Sequence, residues 1–198
     1  MLLSEREKLF SEEKKTIGLG ISKEGKPYDV LPIPWDKTSN AFNMRTPNIY
    51  IAPEDLQNQE IMSQIAKKKV DGCYIFEELK DYTFLKEFTE IRDLYIRKGK
   101  NIKDLSFMSE MKKWYMLLLE DVKLDHLDEL YPPVGVKPPQ FGYCMAFYHC
   151  DIKDVSALKE KNLYMSELII WNKKTDEDYN KWKNATRGAF TYYDDQEE

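Results

Sequence analysis

Only two histidines, His126 and His149, and three cysteines, Cys73, Cys144 and Cys150, occur among the 198 residues. So few ligating side chains leave little for a metal centre, which needs His and Cys clustered at short, paired spacings. Cys144 and the His149-Cys150 pair come nearest, but they lack the Cys-x₂-Cys spacing. An odd cysteine count without pattern also excludes a disulfide framework. No stretch approaches the ~18 apolar residues of a membrane span. Met-Leu-Leu-Ser-Glu-Arg-Glu-Lys, at positions 1–8, has neither the apolar core nor the small-residue cleavage site of a signal peptide. There is no basic excess either: 30 Lys and Arg stand against 35 Asp and Glu, a net charge of −5. The electrostatic footprint of a nucleic-acid binder is therefore missing. Gly18-Leu-Gly20 is not followed by Lys and Ser or Thr, so it is no phosphate loop. These absences predict a soluble, cytoplasmic protein with no cofactor, no metal, no nucleic-acid partner and no membrane partner.

What is present is aromatic and periodic. Thirteen Tyr, nine Phe and four Trp supply ample apolar surface to offset chain entropy, so the chain is not disordered. Four segments share one rhythm: Leu79 to Phe88, Ile102 to Met111, Leu124 to Leu130 and Ile152 to Lys161. In each, an apolar residue recurs at every third position between charged ones, as suits a short helical or 3₁₀ segment laying one edge on a core. Ahead of each lies a short apolar alternation, at Cys73-Tyr-Ile75, Leu94-Tyr-Ile96, Leu117-Leu-Leu119 and Met145-Ala-Phe147. Such alternation reads as a strand with one buried face. Further runs begin at Ile49 and Leu168, so the steps between runs are 24, 21, 23, 28 and 23 residues. The longest step carries Pro132-Pro133 and Pro138-Pro139 and marks an inserted loop.

A strand and a short helical return, repeated every 20–29 residues with Leu-like positions, resembles a leucine-rich repeat protein of the short, divergent kind. The resemblance covers roughly residues 47–175. It departs from the family pattern in lacking a regular Asn or Cys after the strand; Asn101 and Cys150 come nearest. It implies an α/β solenoid with parallel strands on the concave face and short helical or 3₁₀ returns on the convex face. Residues 1–46 then form an N-terminal cap or arm, and 176–198 a C-terminal capping helix with an acidic tail. Tyr179, Trp182 and Ala185 sit at helical spacing in that helix.

The strand positions pointing away from the core hold Tyr50, Tyr74, Phe76, Tyr95, Arg97, Tyr148 and Trp171. Tyr, Trp and Arg anchor protein interfaces because they combine large area with a polar handle. An exposed strip of them predicts a binding surface, unless the N-terminal arm or a second copy of the chain covers it. The resemblance likewise implies a non-enzymatic module that binds a protein partner. Two alternatives stand beside this reading. One is an enzyme of unrecognised fold, such as a hydrolase, using His149 with Cys144 or Cys150. The other is a self-associating structural protein, a homodimer for example, or an inhibitor or immunity-type protein that masks a basic partner.

Overall fold

The computed structural model describes residues 48–51, 53–57, 59, 62, 72–75, 77–132 and 142–195. Nine strands follow in chain order: β1 (Asn48–Tyr50), β2 (Gly72–Ile75), β3 (Asp93–Ile96), β4 (Met116–Glu120), β5 (Lys123–Leu124), β6 (Tyr143–Tyr148), β7 (Asp151–Ile152), β8 (Tyr164–Asn172) and β9 (Arg187–Asp194). The fold is α/β with few helices. Seven strands make one sheet in the order β1-β2-β3-β4-β6-β8-β9, and every neighbouring pair is parallel. The short β5 and β7 pair in parallel beside it.

Strand order follows chain order, and the register is that of the apolar runs. Ile49, Cys73, Leu94, Leu117, Met145, Leu168 and Phe190 stand opposite one another in one row. Ile75, Ile96, Leu119, Phe147, Ile170 and Tyr192 form the next row on the same face. Leu117 and Leu119, not Met116 and Leu118, therefore face the main core, which removes the one-residue ambiguity of the Met116–Glu120 run.

Between strands the chain returns through short 3₁₀ segments, Pro53–Gln57, Thr83–Glu87 and Ser106–Glu110, and through the one-turn helix Ala157–Glu160. Their apolar edges close the core. Leu79, Leu85, Phe88, Ile102, Leu105, Met108, Leu124, Leu127, Leu130, Ile152, Val155 and Leu158 are all buried with the strand residues, as expected from the third-position spacing. One Asp starts three of these returns. Asp81, Asp104 and Asp154 accept the backbone N–H two residues on, from Thr83, Ser106 and Ser156, at 2.9, 2.8 and 2.8 Å. Those bonds satisfy a donor the short helix cannot. His126 occupies the corresponding place in the remaining return, where its Nδ1 faces the Asp128 N–H at 3.4 Å.

Each strand exit also repeats. Lys98, Asp121 and His149 have φ of 51°, 59° and 50°. Each exit bonds the next strand: Gly99 N–H, just after Lys98, donates to Glu120 O, and Asp121 and His149 donate their own N–H to Tyr148 O and Trp171 O. Gly99 has no room for a side chain, because a Cβ there would lie 2.5 Å from Val122 Cγ2. Neighbouring turns are further tied by Asn101 Nδ2, which donates to Leu79 O at 2.9 Å, and by the Cys150 thiol, which donates to Leu119 O at 3.4 Å.

Two expectations need correction at the C-terminal end. Thr175 does cap a helix, Asp176–Ala185, its hydroxyl accepting the Asp178 N–H at 3.0 Å, with Trp182 and Ala185 buried. That helix does not end the structure, however. It is a return to β9, which pairs with β8, so residues 187–194 are sheet and not tail. Phe190 and Tyr192 of β9 continue the apolar rows, and Tyr179 packs against both rings. The expected cap helix at Ser4, the extended segments at 16–35, Ile61, Ile65 and the loop of 133–139 lie outside the described residues.

Candidate functional site

The second face of the sheet carries the residues singled out from the sequence. Because side chains alternate along a strand, three rows run across it. The first holds Asp93, Met116, Cys144 and Glu167. The second holds Tyr74, Tyr95, Leu118, Ala146, Ile169 and Thr191. The third holds Glu120, Tyr148, Trp171 and Tyr193, with Arg97 joined to Glu120. Tyr50 continues the middle row by backbone pairing. Phe76 lies outside the described residues.

The structure brings these residues together but does not leave them open. Tyr74 is 0% exposed, Tyr95 1%, Arg97 3% and Tyr148 2%. Leu118, Ala146 and Ile169 are equally buried. None of these seven belongs to the main core, so the second face is a separate buried layer. The expectation of an exposed strip is thus wrong for Tyr74, Tyr95, Arg97 and Tyr148. Alternation alone separates the two faces of a strand and says nothing of what lies over the second one. A parallel sheet is ordinarily covered on both sides. Trp171 is the exception: it is half-buried and stacks on the half-buried Tyr193, with ring centroids 5.0 Å apart at 28°.

Inside the layer, polar groups are held in specific pairs. Arg97 Nε donates to Glu120 Oε2 at 2.5 Å, with both side chains largely removed from solvent. Tyr74 stacks on Tyr95 at 4.7 Å, and the Tyr95 hydroxyl donates to Met116 Sδ at 2.8 Å. Tyr74, Asp93 and Glu167 are also engaged in polar or ring contacts. Burial pushes the phenols of Tyr74, Tyr95 and Tyr148 well above the ordinary tyrosine value, helped at Tyr148 by the neighbouring Glu120 carboxylate. Two donors of the third row stay unused: the Tyr148 hydroxyl and the Trp171 indole N–H are buried without a hydrogen-bond partner.

The Cys and His residues do not converge on one another. Ser166 is an extra residue in β8, since Tyr143 and Cys144 stand opposite Met165 and Glu167. This bulge sets its hydroxyl 2.9 Å from Cys144 Sγ. Cys144 Sγ also donates to the Tyr115 hydroxyl at 3.4 Å. Burial raises the Cys144 pKa against those hydrogen bonds, and pushes Cys150 up to about 12. Both are therefore thiols at neutral pH, whereas nucleophilic attack and metal binding need the thiolate. His149 turns instead to carboxylates, with Nε2 2.9 Å from Asp195 Oδ2 and Nδ1 3.7 Å from Asp121 Oδ1. Among the described residues no group of three His, Cys, Asp or Glu stands close enough to hold a metal ion, and no helix is long and apolar enough to cross a membrane.

Sequence reasoning missed Asp93, Cys144 and Glu167 as members of this face, and Tyr193 with them. Stepping two residues back from Tyr95, Ala146 and Ile169 finds the first three, while Tyr193 lies on β9, a strand the sequence reading does not contain. No protein-family model matches the chain, and no curated protein and no solved structure is similar to it.

Proposed function

We propose that the chain is a short, divergent leucine-rich-repeat-like solenoid that acts as a non-enzymatic protein-binding module. Support for the solenoid comes from the sheet: parallel strands lie side by side in chain order, and left-handed turns recur at Lys98, Asp121 and His149. Support for binding comes from one observation above the rest. Tyr148 and Trp171, opposite each other on β6 and β8, hold buried donors that nothing accepts, beside the half-open Trp171–Tyr193 stack. A buried donor left unpaired costs about 1–3 kcal/mol. A partner that covers the half-open stack, and on docking turns the indole far enough to offer its N–H a carbonyl or carboxylate, recovers that cost, as aromatic anchors do in protein interfaces. The binding site thus contracts from the seven residues named from the sequence to the end of the face formed by Tyr148, Trp171 and Tyr193.

The test separates the N–H from the ring. Trp171→Phe keeps a stacking ring and removes the donor, and Trp171→Ala removes both. With a partner captured by the unaltered chain, Trp171→Phe should weaken binding about 5- to 30-fold and Trp171→Ala more, at unchanged melting temperature for the Phe variant. Equal affinity of all three proteins removes this reading. A second reading, self-association, is favoured by β9: among the described residues it is the last strand of the sheet, and Arg187, Gly188 and Ala189 are exposed along it. Light scattering over a hundredfold concentration range distinguishes a homodimer from a monomer.

A further inference from the structure

We infer that the outer edge of β9 pairs antiparallel with β9 of a second copy of the chain, about a two-fold axis at Thr191. Among the described residues β9 is the last strand of the seven-stranded sheet, and Arg187, Gly188, Ala189 and Asp194 on it are exposed. Along a strand the side chains alternate between the two faces, and the backbone N–H and C=O groups alternate between the two edges. Asp195 N–H donates to Asn172 O of β8 at 2.9 Å, so Thr191 and Tyr193 also turn their backbone groups to β8. Phe190 and Tyr192, lying between, turn theirs to the outer edge. Natural edge strands are ordinarily blunted by Pro, by Lys or by a bulge. Arg187-Gly-Ala-Phe-Thr-Tyr-Tyr-Asp194 contains neither Pro nor Lys. The irregularity in its ladder belongs to β8, where Ser166 and Glu167 lie between Met165 and Leu168 while Ala189 alone lies between Gly188 and Phe190.

The strand is complementary to itself. Two copies continue one sheet, with both cores on one side, only when facing residues point to the same face, which requires the axis to pass through a residue. Through Thr191 it sets Phe190 opposite the partner's Tyr192 and Tyr192 opposite the partner's Phe190, and each pair exchanges two backbone hydrogen bonds. Phe190 and Tyr192 end the two apolar rows of the core face and are half-buried, so the second copy carries both rows onward. On the other face Ala189 meets the partner's Tyr193 and is small enough to leave the Trp171–Tyr193 stack half-open. Charge selects both direction and register. The axis at Thr191 brings Arg187 to the partner's Asp195, whereas parallel pairing sets Arg187 against Arg187, and an axis at Phe190 sets it against Tyr193. Arg187 Nη1 already donates to Asn162 Oδ1, and Asp195 Oδ2 lies beside His149 Nε2, but a guanidinium and a carboxylate each take several partners. Lys174 does not compete for Asp195, since its Nζ sits over the Tyr179 ring at 4.8 Å. The inference rests on the self-association reading given above and not on the reading of Trp171.

The full chain is tested at the axis and away from it. The two Thr191 residues form a pair without mutual hydrogen bonds, with Cα atoms about 4.5 Å apart, within reach of a disulfide. Thr191→Cys should therefore run as a covalent dimer on a non-reducing gel after mild oxidation, and the unaltered chain, whose three thiols are buried, should not. Nitroxide labels on Arg187→Cys should lie about 27 Å apart, eight strand residues at about 3.4 Å each, where parallel pairing would bring them within about 5 Å. Thr191→Lys sets two ammonium groups face to face and should weaken the dimer about fivefold or more in light scattering, at an unchanged circular dichroism spectrum. A dimer that forms no disulfide through Thr191→Cys, holds the labels at another separation or tolerates Thr191→Lys overturns the inference and leaves the self-association reading standing. A monomer over the whole concentration range overturns both. Should Thr191→Cys fail to fold, the label separation at the exposed position 187 decides alone. None of these readouts uses another partner, so the Trp171 experiment stands whatever they show.

Discussion

Tyr148 and Arg97 share the buried layer and make opposite demands on it. The Tyr148 hydroxyl has no acceptor, so Tyr148→Phe should leave the melting temperature unchanged or raise it slightly. Arg97 is paired, and Arg97→Ala strands the Glu120 carboxylate in a site where little water reaches it. That loss should cost about 3–5 kcal/mol in denaturant unfolding, and an isosteric apolar replacement of both partners much less. The thiols make a third case. Burial raises the pKa of Cys73, Cys144 and Cys150, so none should react with a disulfide reagent at pH 8 until the chain unfolds. Rapid labelling of Cys144 in the native protein would show that the second face opens. The sequence displayed all of these residues and their alternation. It did not display their burial, because a covered and an uncovered face have the same Tyr- and Leu-rich composition.

The returns between strands are short and depend on their first residue. Hydrogen bonds from Thr83, Ser106 and Ser156 hold the carboxyls of Asp81, Asp104 and Asp154 below their ordinary value. A group whose pKa is lowered on folding adds stability above its unfolded pKa, about 3.9, and loses it as pH falls through the folded one. Acid titration of the native protein should therefore show stability constant above about pH 5 and declining below it; the Asp104→Asn variant should show a shallower decline. At Thr175 the bond to the Asp178 N–H starts the last helix, and Thr175→Ala should cost about 1 kcal/mol by thermal unfolding. This cap was readable from Thr175-Asp-Glu-Asp, as were the third-position rhythms of the returns. Strand β9 was not, although Phe190 and Tyr192 alternate with polar neighbours. Gly188 and the acidic residues after Tyr193 resemble a tail until the helix before them is seen to turn the chain back.

Each strand of the sheet hydrogen-bonds its neighbours in the order β1-β2-β3-β4-β6-β8-β9, so stability is passed from one to the next. The C-terminal end hangs on Trp182, fully buried and 5.1 Å from the Phe147 ring. Trp182→Ala should cost about 3–5 kcal/mol. Native-state hydrogen exchange should show the loss first in β8 and β9, with β3 and β4 protected longest; uniform loss across the sheet would mean that the strands unfold together. The overall order of the sheet was legible because the apolar runs fall at nearly even intervals and each pairs with the next.

One interval is uneven, and the sheet does not register it. Leu117 stands opposite Met145, 28 positions on, while Leu94 reaches Leu117 in 23, and pairing stays true on both sides. The length of that connection is thus independent of the ladder it joins. A foreign peptide spliced between Pro132 and Gly142 would ride as a passenger, which makes this the place to attach a reporter without disturbing the scaffold.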